Sequence, residues 1–91
     1  MPYLTSSLSS HRDGPAYALK DGRFAVVVEP PFGRLSPGQR HDLKDIARRY
    51  AFGGLAERAA RVEILGVDPE LVPLVIDEVH GTGLPVAGDR G

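Results

Sequence analysis

Four residues, Ser36-Pro37-Gly38-Gln39, mark the start of a helix almost by themselves. A hydroxyl at the N-cap accepts from the N3 backbone N–H, a glutamine at N3 returns a bond to the N-cap, and proline at N1 gives up an N–H that the helix has no use for. Leu43, Ile46, Ala47 and Tyr50 follow at i, i+3, i+4 and i+7, so the helix carries one apolar stripe, while Arg40, Lys44, Arg48 and Arg49 fall largely off it. A single stripe has to be laid on another element. The chain supplies one on each side, Ala25-Val26-Val27-Val28 before the helix and Val62-Glu63-Ile64-Leu65-Gly66-Val67 after it.

The remaining elements are read around that helix. Tyr17-Ala18-Leu19-Lys20 and Arg23-Phe24-Ala25-Val26-Val27-Val28-Glu29 flank Asp21-Gly22, the dipeptide best suited to the positive φ angles of a two-residue hairpin, and Pro30-Pro31 ends the second strand. Phe52 followed by Gly53-Gly54 is read as the end of the helix, glycine being the usual C′ residue. Residues 62–67 are a third strand. Asp68-Pro69 opens a second helix with apolar positions Leu71, Val72, Val75, Ile76 and Val79, whose start is drawn toward Pro73; Gly81 and Gly83 end it.

This order predicts an α+β, ferredoxin-like two-layer sandwich: a β-hairpin followed by αβα, with a mixed sheet and two helices on one face. A right-handed crossover from 23–29 through the first helix to 62–67 makes those two strands parallel. Val26, Val28, Leu43, Ile46, Tyr50, Ile64, Val75 and Val79 are the expected core. Residues 1–15, rich in serine and poor in apolar side chains, are expected to be a flexible arm, and residues 16–88 to be the domain.

Composition narrows the chemistry. A chain of 91 residues makes one small domain, which buries only about 60–65% of its unfolded surface and leaves little room for an enclosed active site. There is no cysteine, which removes disulfides, thiolate zinc sites, cysteine-ligated iron–sulfur clusters and thiol nucleophiles. No apolar run is long enough to span a membrane and the first residues do not follow the order of a secretion signal, so a cytoplasmic protein is expected.

His11, His41 and His80 lie in three different elements without a partner at metal-ligand spacing, and no glycine-rich stretch has the lysine and hydroxyl of a phosphate-binding loop; no metal and no catalytic residue is nominated. His80, at a helix end, suits the helix dipole. Nucleic-acid binding is not expected, because the aromatic-rich strand motif that stacks bases is missing. Charge is unevenly laid out. Residues 34–61 hold seven basic and three acidic groups, residues 62–91 one basic and six acidic. That split suits an anionic ligand, a second copy arranged head to tail, or simply two solvated helix faces of opposite sign.

Together the stretches Gly22-Arg23-Phe24-Ala25-Val26-Val27-Val28, Gly33-Arg34-Leu35-Ser36 with Gln39, Leu43-Lys44-Asp45-Ile46-Ala47-Arg48-Arg49-Tyr50, Val62-Glu63-Ile64-Leu65-Gly66-Val67 and Leu74 to Gly83-Leu84 resemble the ferredoxin-like half-domain of siroheme nitrite and sulfite reductases, over residues 22–86. In that family two half-domains pair about a pseudo-twofold axis and help enclose siroheme, while the cysteines of the iron–sulfur cluster lie in separate catalytic domains. A threonine-x-arginine motif before the glycine-valine strand end helps hold siroheme and the anionic substrate. Counted back from Gly66-Val67, its threonine place falls on Glu57 and its arginine place on Ala59, so the motif is absent in this register.

Arg58 and Arg61 are the nearest substitutes and the candidate cofactor-binding residues, since a guanidinium grips both oxygens of a carboxylate or oxyanion. The resemblance, with its departures, implies a small non-catalytic binding or assembly module. The alternative is a piece of a nitrite or sulfite reductase, an oxidoreductase, contributing to a siroheme and oxyanion pocket completed by other domains or chains. No cofactor is expected in the isolated chain; siroheme enters only through such a partner. A homodimer, or pairing with a second half-domain, is expected to cover an open sheet edge, unless the amino-terminal arm folds over it and leaves a monomer.

Overall fold

Residues 15–88 are described by the computed structural model of the chain. Their strands β1 (Ala16–Ala18), β2 (Phe24–Val28), β3 (Ala51–Arg58) and β4 (Arg61–Val67) form one sheet in the order β1-β2-β4-β3, with helices α1 (Pro37–Tyr50) and α2 (Val72–Gly81). Short 3₁₀ turns at Pro31–Gly33 and Pro69–Leu71 come before the helices. The expected arm falls outside the described residues, apart from Pro15.

The helix start stands as the sequence specifies it. The Gln39 N–H donates to Ser36 Oγ and the Ser36 N–H to Gln39 Oε1, each at 3.1 Å. The stripe of α1 then packs Leu43, Ile46 and Ala47 with Val26 and Val28 of β2, Val62, Ile64 and Val67 of β4, and Val75 and Val79 of α2 in a single cluster, which Leu84 and Val86 complete. Both helices therefore cover one face of the sheet, as expected of a two-layer α+β fold. All the expected core residues are buried except Tyr50, which is half-buried at the edge of the cluster.

Three expectations are corrected. The first is Phe52-Gly53-Gly54, which does not cap α1 but lies within β3. Ala51 ends the helix, its extended backbone still donating to the Ala47 carbonyl, and the glycines serve the strand that follows. A Cβ on Gly53 would sit 2.8 Å from the Leu65 Cβ, and one on Gly66 2.7 Å from the Gly53 nitrogen. The two backbones touch there, and the register between β3 and β4 shifts between Ala51 and Gly54.

The second correction follows from the first. Because β3 returns the chain and the Ala59-Ala60 turn reverses it again, β4 lies antiparallel to β2, with Val26 opposite Ile64 and Val28 opposite Val62. Every ladder of the sheet is antiparallel, where a mixed sheet with a parallel crossover was expected.

The third concerns two turns. The first hairpin closes through a three-residue loop, with the Leu19 N–H donating to the Arg23 carbonyl and the Gly22 N–H to the Leu19 carbonyl; Gly22 alone takes a positive φ, 88°. Asp68 does not cap the second helix. Its carboxylate accepts from Arg23 Nε at 3.1 Å instead, and the α-helix begins at Val72 with Pro73 in its first turn.

β2 is paired along both sides. On the β1 side, the Val27 N–H donates to the Pro15 carbonyl, the Val27 carbonyl accepts from the Ala87 N–H, and the Glu29 N–H donates to the Pro85 carbonyl, so residues 85–87 prolong that edge. Among the described residues the sheet has two edges, the three-residue β1 and the eight-residue β3, and the outer rim of β3 is the longer.

Ile46→Ala is expected to cost about 2–5 kcal/mol in chemical denaturation; a loss below about 1 kcal/mol would mean that the α1 stripe does not carry the core. Gly54 and Gly66 both have positive φ, 73° and 81°, but a Cβ meets nothing at Gly54 and backbone at Gly66. Gly66→Ala should therefore destabilise clearly more than Gly54→Ala, and equal losses would show that β3 and β4 do not touch at this point.

Candidate functional site

At one end of the sheet the Pro31–Gly33 turn meets the Ala59-Ala60 turn. A Cβ on Gly33 would lie 3.2 Å from the Ala60 Cα, and both residues have positive φ, 70° and 68°. The first turn of α1 begins beside them, and the three segments enclose a groove of about 210 Å³ lined by Arg34, Arg40, Glu57, Arg58 and Arg61. Arg58 and Arg61 are cross-strand partners. The fold thus brings the two sequence-predicted arginines together and adds Arg34 and Arg40 to them.

Three of the four guanidiniums are already held. Arg40 grips Glu57 with both arms of its fork, Nε to Oε2 at 3.0 Å and Nη2 to Oε1 at 2.9 Å. This bond holds the Glu57 carboxyl below the ordinary carboxylate range, against a smaller opposing effect of desolvation, and raises Arg40 in turn. Arg61 Nη2 donates to Glu29 Oε2 at 3.0 Å. Arg58 Nε stands 3.5 Å from Oε1 of Glu63, a buried carboxylate that also accepts from the Tyr17 hydroxyl at 2.7 Å. Arg34 is exposed and makes no side-chain hydrogen bond or ion pair among the described residues.

Glu57, in the threonine place of the family motif, is thus the anchor of Arg40, and Ala59, in the arginine place, is an uncharged residue of an exposed turn. Among the described residues, an anion entering the groove meets Arg34 without a partner and has to displace a carboxylate from each of the other three.

Elsewhere the sequence-nominated polar residues have structural work. Ser36 is the helix cap. Arg23, held by Asp21 and Asp68, lies over the ring of Phe52 at 4.3 Å. His41 and His80 are exposed on the two helices, and among the described residues no group of three histidine, cysteine or acidic side chains is placed to hold a metal ion; His11 lies outside those residues. No helix among them is long and apolar enough to cross a membrane. Sequence reading missed the grouping of Arg34, Arg40 and Glu57, which only the fold assembles. It also missed the Tyr17–Glu63–Arg58 chain, whose one local signal is an acid in the middle of an apolar strand.

Residues 17–81 match a family model described as the nitrite/sulfite reductase ferredoxin-like half domain. No curated protein and no solved structure matches the chain.

The acid response follows from two carboxyls. Glu57 is held low by the Arg40 fork, and Asp21 is held low first by the Arg23 backbone N–H and then, against desolvation, by the Arg23 side chain. A carboxyl held low in the folded chain takes up its proton later than in the unfolded one. Its contribution is complete above the ordinary carboxylate range and is lost as pH falls through the folded value. Stability should therefore decline as pH drops below about 5, and Glu57→Gln should flatten part of that decline. An unchanged acid limb in thermal melts of the variant would show that the Arg40–Glu57 fork does not form in solution.

Proposed function

Because the chain belongs to the family of nitrite/sulfite reductase ferredoxin-like half-domains, we propose that it is a non-catalytic binding or assembly module built on that scaffold. The observation that carries this reading is the pairing within the groove. Where the family motif offers an arginine to siroheme and its anionic substrate, this chain has Ala59, and the neighbouring Arg40, Arg58 and Arg61 are engaged by Glu57, Glu63 and Glu29. The groove, at about 210 Å³, is also below the roughly 300–1,000 Å³ common for small-molecule pockets. These residues do not fit siroheme. No cysteine is present to ligate an iron–sulfur cluster.

Arg34, without a side-chain partner among the described residues and beside Arg58 and Arg61, favours one second reading, in which the chain is part of a nitrite or sulfite reductase and lends this groove to a pocket completed by other domains or chains. In either case the partner is a second half-domain. For a chain with one copy, the simplest is an identical chain paired along the outer rim of β3, whose backbone groups are otherwise left as a template for aggregation. A cytoplasmic setting suits such a module.

The visible spectrum of the purified protein decides between the two readings. The expected result is no pigment, no siroheme uptake on titration, and no reduction of sulfite or nitrite by the chain alone. Bound siroheme would overturn the first reading and favour the second. Light scattering is expected to give twice the 9.8 kDa of one chain, unchanged at high salt; a single-chain mass at high micromolar concentration would remove the edge-paired dimer.

A further inference from the structure

α1 stands between two grooves of opposite charge. On one side Arg40 reaches Glu57 of β3, in the groove where four guanidiniums stand against the three carboxylates of Glu57, Glu29 and Glu63. On the other Arg49 approaches Glu78 of α2 at 3.8 Å, in a groove of about 350 Å³ where the carboxylates of Asp42, Asp45, Asp77 and Glu78 face that one guanidinium. Each groove also keeps charge that the fold leaves unspent. Arg34 on the basic side and Asp42 and Asp77 on the acidic side make no side-chain ion pair or hydrogen bond among the described residues.

The basic side has a second feature. Phe32, adjoining that groove, is 99% exposed and holds φ 57°, ψ 19°, a left-handed conformation that a bulky side chain rarely adopts. An exposed apolar residue alone calls for no explanation. A strained one does, and here its neighbour Gly33 is pressed against Ala60, so the turn that presents the ring is fixed by packing. The acidic groove has room for such a ring beside Gly81, where an added Cβ would meet nothing.

We propose that the Phe32–Arg34 turn of one copy docks into the acidic groove between α1 and α2 of a second copy, with Phe32 beside Gly81 and Arg34 against Asp42 and Asp77. The occupant is set by complementarity, since each copy carries a groove of either sign and the aromatic residue stands beside the basic one. The contact is heterologous, using different patches on the two partners. It therefore propagates from copy to copy unless a ring closes, unlike a twofold contact along β3.

Sedimentation of the full chain tests this. From about 1 M to about 0.01 M salt the screening length grows from about 3 Å to about 30 Å, and self-association beyond the base species should strengthen at least about tenfold. Phe32→Ser with Arg34→Glu removes the docking turn; Asp42→Lys with Asp77→Lys removes its receptor. All four positions are exposed, so unchanged melting temperatures are the check that both variants fold. Each variant alone should stay at the base species, and an equimolar mixture should associate, because one retains the receptor and the other the turn. A wild-type chain that does not grow at low salt, a variant that associates like wild type, or a mixture that fails to associate would each overturn the proposal. Whether the base species is one chain or two reports separately on pairing along β3.

Discussion

Where β3 crosses β4, Gly53 and Gly66 let two backbones approach closer than any side chain permits. The crossing shifts the register between Ala51 and Gly54, and the shift settles which face each later residue of β3 takes. Glu57 comes to lie on the helix-covered side, where Arg40 reaches it from α1. Arg58, its neighbour, falls on the other side, where Glu63 is its partner. The same hairpin reverses the chain so that β4 enters antiparallel to β2, and it makes β3 the longer of the two edge strands among the described residues. Strand direction and the makeup of the arginine groove thus follow from a close backbone contact that two glycines allow.

The ion pairs around the groove do a different job from the core. Exposed pairs each contribute little to stability, and that little is small beside the apolar cluster under both helices. What they change is the availability of charge. A guanidinium whose fork already holds a carboxylate has no donors aligned for a new anion, and breaking the fork leaves a carboxylate facing that anion. An acid at position 57 therefore does more than fail to offer a donor. Glu57 occupies Arg40, the groove's most firmly held cation, and adds its own repulsion to anything negative.

Some of this was readable from the chain. The start of α1 was, because a capping box is a local exchange of hydrogen bonds between residues three apart, and its stripe named the core correctly for the same reason of short range. β3 was not. Glycine ends helices and also permits close strand crossings, and in Phe52-Gly53-Gly54 nothing local separates the two uses. With β3 missing, a right-handed crossover and a parallel pair were the natural inference, so one ambiguous tripeptide carried the error in strand direction. Arg58 and Arg61 could be nominated from their distance to Gly66-Val67. Arg34 and Arg40 could not, since they reach the groove only through the contact of two turns whose sequences, Pro31–Gly33 and Ala59-Ala60, give no sign of meeting. Tyr17 and Glu63 are 46 positions apart, and no pattern within one strand pairs them.

The division of charge along the chain takes on meaning only in three dimensions. Read linearly, a basic middle and an acidic end are two blocks. In the fold, α1 contributes to both signs, Arg40 toward β3 and Asp42 and Asp45 toward α2, while β3 and β4 add arginines at one boundary and α2 adds Asp77 and Glu78 at the other. The helix thus biases each groove toward one sign, although ion pairs such as Arg40–Glu57 and Arg49–Asp45 offset part of the charge in both. A domain of this size has too little interior to build an enclosed site, and its recognition chemistry has to be carried on such outer grooves, where shape and sign are set by the same packing that makes the core.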